Sequence, residues 1–130
     1  MLYLSRPTIL CVDDKATAEE MRLLKIVLEK AGYQVLTARN PSDAISLFRS
    51  SNFDLVLTED IRMADENRTL AQTLKSVKPT VPVAIYTGGW GPSPEELRVA
   101  DRFITKLVTI DELMRAIDSL LSMRQTSLAA

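Results

Sequence analysis

The stretch Ile9-Leu10-Cys11-Val12-Asp13-Asp14 decides how the rest of the chain is read: four apolar residues without a polar interruption, then two acids. A half-exposed strand alternates apolar and polar residues, so an unbroken apolar run of strand length points to a central strand covered on both faces, as in a parallel sheet. Further runs of strand length follow at Gln34-Val35-Leu36-Thr37, Leu55-Val56-Leu57, Val83-Ala84-Ile85-Tyr86 and Phe103-Ile104-Thr105. Helical stripes lie between them: Met21, Leu24, Leu28 and Ala31; Leu70, Leu74 and Val77; and Ile110, Leu113, Met114, Ile117, Leu120 and Leu121. Thr17 with Glu20, Ser93 with Glu96 and Thr109 with Glu112 have capping-box spacing, and Pro41 and Pro94 suit first helical positions. Gly32 closes the first helix. The alternation predicts five strands and five helices in a three-layer α/β sandwich with right-handed crossovers. The fourth helix is expected to be short, because Gly88-Gly89-Trp90-Gly91-Pro92 is a loop that leaves about two turns after it.

Composition narrows the chemistry. The 130 residues are 46% hydrophobic and 25% charged, the balance of one ordinary globular domain. With no His, imidazole bases, His nucleophiles and His-rich metal sites are excluded, and the lone Cys11 excludes an intrachain disulfide and a multi-thiolate zinc site. A net charge of −1 with dispersed Lys and Arg gives no footprint for nucleic acid or an anionic membrane. No run approaches the length of a bilayer span and no secretory signal opens the chain, so a cytosolic protein is expected. Residues 1–123 are read as one domain and 124–130 as a C-terminal tail.

In an open parallel sheet, ligands bind beyond the carboxyl ends of the strands. Asp13 and Asp14 follow the first run there, Glu59 and Asp60 the third, Thr87 the fourth and Lys106 the fifth. Clustered carboxylates raise one another's pKa unless a cation joins them, and a hard divalent ion such as Mg²⁺ prefers such oxygens. An ammonium and a hydroxyl would then serve phosphoryl oxygens, a set suited to phosphoryl transfer onto a carboxylate. Blander readings stand beside these. The Asp pair could cap the first helix, Lys106 could be a surface lysine, Thr87 a strand residue and Phe103 a core aromatic. Cys11 reads as a small buried filler, and Trp90 as either a partner anchor or a residue packed on the fourth helix.

On these residues the chain resembles the receiver domain of two-component response regulators over essentially its whole length. The resemblance is carried by Ile9-Leu10-Cys11-Val12-Asp13-Asp14, by Asp54-Leu55-Val56-Leu57-Thr58 and the acid after it, by Val81-Pro82-Val83 leading to Thr87-Gly88, and by Phe103-Ile104-Thr105-Lys106. It implies a flavodoxin-like fold with sheet order 2-1-3-4-5, Mg²⁺ on Asp13, Asp14 and the acceptor-position acid, and phosphate received from a sensor histidine kinase. It further implies that Thr87 and Lys106 read out the acyl phosphate, that Phe103 responds to it, and that the domain is not itself an enzyme. The early end of the chain implies a stand-alone domain acting on a downstream effector protein; nothing in the helical faces fixes an oligomeric state.

The sequence also departs from that family. Counting from either side places the acceptor on Glu59, whereas Asp60-Ile61-Arg62-Met63 reads as an acceptor with its loop if one residue bulges at the strand end. Consecutive strand residues face opposite ways, so only one of Glu59 and Asp60 enters the pocket. Ala64 stands where a proline is usual, Asn67 or Arg68 where a glycine is, and Leu107 where a proline follows the lysine, which predicts a trans Lys106-Leu107 bond. Three functions therefore compete with a constitutive, unphosphorylated receiver: a receiver phosphorylated on Asp60, a small Mg²⁺-dependent phosphotransfer enzyme, and a flavodoxin-like nucleotide or flavin binder. The last lacks a glycine- or serine-rich phosphate cradle after the first strand.

Overall fold

Alternate residues of the first strand, β1 (Thr8–Val12), serve opposite layers of the molecule: Ile9 and Cys11 join one apolar core, Leu10 and Val12 the other. All four are at most 2% exposed, which is why the run carries no polar residue. The computed structural model describes residues 6–64, 67–89, 91 and 94–129. After β1 come α1 (Ala18–Lys30), β2 (Gln34–Ala38), α2 (Pro41–Ser50), β3 (Leu55–Thr58), α3 (Leu70–Val77), β4 (Val83–Thr87), α4 (Pro94–Val99), β5 (Arg102–Thr105) and α5 (Ile110–Ala129). All pairings are parallel and the sheet order is β2-β1-β3-β4-β5, the flavodoxin-like topology.

The caps explain where the helices begin. Thr17 and Glu20 form a reciprocal capping box on α1, Asn40 accepts from the Asp43 N–H ahead of Pro41 on α2, and Thr109 accepts from the Glu112 N–H on α5. Thr69 and Gln72 form a second capping box, on α3. Gly32 has φ of 105°, the left-handed conformation that ends α1. Ala31 is the exposed C-cap of α1 and lies outside the buried stripe to which its spacing assigns it. Ser93 and Trp90 lie outside the described residues.

One core holds Met21, Leu28, Leu113, Ile117 and Leu120 from α1 and α5 against one face of the sheet; the other holds Ala44, Phe48, Leu70 and Leu74 from α2 and α3 against the opposite face. Each fully buried Leu or Ile among them contributes about 1.5–3 kcal/mol. The C-terminal stretch differs from the tail expected: α5 continues to Ala129. Arg124 fastens this extension to the body, donating to Phe53 O at 2.7 Å and Asp54 Oδ1 at 3.0 Å.

Candidate functional site at the carboxyl edge of the sheet

The position of Glu59 follows from strand register. β3 pairs with β1 from Leu55 to Thr58 and with β4 from Val56 to Thr58, one residue against one throughout, so no bulge interrupts the approach to the acids. The Glu59 N–H extends this ladder to Val12 O at 2.8 Å. Leu55 and Leu57 face the α1–α5 core, and Glu59 continues that alternation towards the side on which Ile9, Cys11 and Asp13 lie. Its carboxylate is buried, with 6% of the residue exposed, while Asp60 is half-buried beside it. The Asp60 N–H donates to Glu59 Oε1 at 3.0 Å.

Lys106 joins the ends of three strands. Its Nζ lies 2.5 Å from Asp13 Oδ2 and 3.1 Å from Glu59 Oε2, and 5.6 Å above the centre of the Tyr86 ring. Lys106 N–H also donates to Thr87 O at 2.9 Å, which fixes the lysine backbone at the strand end. Burial by itself raises the pKa of Asp13. The hydrogen bonds from Lys106 and from the N–H groups of Lys15 and Ala16, with the nearby positive charge, outweigh it and hold the carboxyl below its ordinary value. For Lys106 burial lowers the pKa, and the bonds and attraction of Asp13 and Glu59 overcome this and raise it. Both groups are charged near neutral pH.

The other expected residues are placed differently. Asp14 is exposed and outside the ion-paired group. Thr87 is buried, and its hydroxyl oxygen accepts the Gly89 N–H at 3.0 Å. Phe103 is half-buried against the α2–α3 core. Cys11 is buried and desolvation pushes its thiol up to about 12, which suits the filler reading. Among the described residues every peptide bond is trans, Lys106–Leu107 included. Sequence reading missed Tyr86 as a wall of the site; its position one residue before Thr87, on the opposite strand face, was the available signal.

The donor chemistry suits a hard cation in type, because Asp13 Oδ2 and Glu59 Oε2 converge on one point. Lys106 Nζ stands at that point, so a divalent ion there would compete with the ammonium. Among the described residues no three carboxylate or thiolate side chains gather closely enough to form a ready-made metal site.

A five-stranded parallel sheet in this order, with acids from β1 and β3 and a lysine from β5 at one edge, defines the class as a flavodoxin-like receiver fold. The chain belongs to the response regulator receiver domain family, whose profile matches residues 9–118. It is 35% identical over 124 residues to Protein PilH of Pseudomonas aeruginosa, covering 88% of this chain and 97% of PilH. It is 27% identical over 126 residues to the Autoinducer 1 sensor kinase/phosphatase LuxN of Vibrio campbellii, but spans only 14% of that protein's length. Among solved structures, a CheY-like receiver domain from Methanospirillum hungatei matches with a TM-score of 0.82 and 26% identity over 95% of this chain and 99% of that one. The response regulator TrrA of Thermotoga maritima, in complex with Mg²⁺-BeF, matches at 0.74 and 28% identity over 88% of this chain and 98% of TrrA. Among the described residues no helix is long and apolar enough to cross a membrane.

Proposed function

We propose that this chain is a receiver that signals by contact with another protein, with Glu59 in the acceptor position and an active-like state that needs no phosphate. The observation that carries the reading is the Glu59 Oε2 to Lys106 Nζ contact of 3.1 Å. In the family this lysine reads out the acyl phosphate; here a carboxylate one methylene longer than aspartate already reaches it. The negative charge that phosphorylation would deliver is thus supplied by the side chain. A histidine kinase fits as a partner because TrrA has been solved with the histidine kinase ThkA, and a downstream effector protein is the second partner class. The single buried thiol suits a cytoplasmic setting.

Asp13 and Glu59, with Asp14 at the rim, are the residues that would hold Mg²⁺. The ion would supply neutralisation of clustered negative charge. The residues' own chemistry does much of the same work: Lys106 neutralises the buried carboxylates, and the N–H groups of Lys15 and Ala16 orient Asp13.

Treatment with acetyl phosphate and Mg²⁺, read by intact-protein mass spectrometry, tests the acceptor. Wild type is expected to gain no phosphate and Glu59→Asp to gain one. A wild-type protein that takes up one phosphate, and loses that capacity in Asp60→Asn, would overturn the assignment to Glu59.

A further inference from the structure

Next to the Asp13–Glu59–Lys106 group, on the α1 side of the sheet, lies a cavity of about 150 Å³. Cys11 and Leu57 from the sheet, Met21 from α1 and the Tyr86 ring give it an apolar interior, and Asp13, Glu20 and Lys106 border it with charge. An apolar interior with a few convergent polar groups is the usual make-up of a small-molecule site. The volume limits the occupant, since an apolar cavity of roughly 150 Å³ takes one benzene-sized ring.

The charges choose the sign of its head group. Lys106 is committed to Asp13 and Glu59. Glu20 Oε1 accepts the Thr17 N–H, and among the described residues no ammonium or guanidinium pairs with Glu20. Two carboxylates, Asp13 and Glu20, border the cavity beside one ammonium that is already held by Asp13 and by Glu59, so an arriving anion meets a net negative border. A cation meets the opposite, and the Tyr86 ring already has one ammonium over its face.

We propose that this cavity binds a small primary amine whose apolar body is one ring or a short branched chain, with its ammonium on the Asp13–Glu20 border. The proposal goes beyond the acceptor assignment and stands whether or not Glu59 or Asp60 takes phosphate. It also gives the site an input of its own, because an amine on Asp13 competes with Lys106 for the same carboxylate.

Amide NMR titration of the full chain with benzylamine, benzyl alcohol and benzoate tests it. Benzylamine is expected to give saturable shifts at Cys11, Met21 and Leu57, with benzyl alcohol at least about fivefold weaker and benzoate weaker still. Glu20→Gln keeps an oxygen for the Thr17 N–H, so the helix cap survives; it should weaken benzylamine about threefold and leave benzyl alcohol unchanged. Equal binding of benzylamine and benzyl alcohol, tighter binding of benzoate, or no saturable shift up to roughly tens of millimolar would each overturn the proposal.

Discussion

Both ends of the sheet carry acids and cations, yet they are built on different terms. At the amino end Asp54 pairs with Arg124 and Asp101 with Lys75, one cation to each acid. Each of these acids also receives a backbone N–H at 2.8 Å, Asp54 from Thr8 and Asp101 from Val83. Such contacts fasten chain segments and leave no charge over. At the carboxyl end two buried carboxylates share Lys106, and Asp14 adds a further exposed acid. A balanced, partly solvated pair is a clasp; a crowded group with surplus negative charge attracts whatever cation reaches it.

The sharpest way to break this contrast is Lys106→Met. It leaves Asp13 and Glu59 buried and facing each other, whereas removing a cation at the amino end exposes an acid that is already partly solvated. The expected loss is about 1–2 kcal/mol, below the full cost of orphaning a buried charge because 34% of the Lys106 side chain is exposed. Urea unfolding with and without Mg²⁺ should show the ion restoring more stability to this variant than to wild type, since the ion then has no ammonium to displace. Equal Mg²⁺ responses in the two proteins would mean that Lys106 and the cation do not share a position.

Dependence on pH sharpens the same comparison. Asp13 has a folded pKa below its ordinary 3.8, so its contribution to stability is complete above that value and is lost as pH falls through the depressed one. Lys106 has a folded pKa above its ordinary 10.5, so its contribution is complete below that value and is lost as pH rises through the raised one. Between these limits the pair contributes a constant amount. In Lys106→Met the lowering influence of the ammonium on Asp13 disappears while burial and the Lys15 and Ala16 N–H bonds remain, so acid unfolding measured by circular dichroism should become less steep in the acid range. An unchanged acid limb would place the acid sensitivity of wild type elsewhere.

Much of the carboxyl end was legible in the sequence because strand order and side-chain alternation are local properties. Unbroken apolar runs mark the strand ends, and the acids and Lys106 that follow them are brought to one edge by the parallel topology. That the Glu59 side chain turns towards Lys106 needed the register, which runs one residue against one up to Thr58. The amino end was far less legible. Arg124 follows an apolar stripe that stops at Leu121, and its partner Asp54 lies 70 residues away, so the helical extension of α5 reads locally as a tail. Tyr86 reads as one more strand residue until the Lys106 ammonium is seen above its ring.

The smallest expected effects belong to the amino-end clasps, and they test whether the balance there is structural only. Asp101→Asn keeps an oxygen that can accept the Val83 N–H and removes only the charge facing Lys75 Nζ, which lies 2.6 Å from Oδ2. The side chains are 20% and 32% exposed, so solvent screens the pair, and the expected loss is about 0.5 kcal/mol. That loss should shrink with added salt, because the Debye length falls from about 10 Å at 0.1 M to about 3 Å at 1 M. The Asp54–Arg124 pair should behave alike in a double-mutant cycle of Asp54→Asn and Arg124→Met, with a coupling of about 0.5–1 kcal/mol, since Asp54 is 46% exposed. A coupling several times larger would show that the α5 extension is held as tightly as the carboxyl-end group, and the two ends would then differ in position and not in kind.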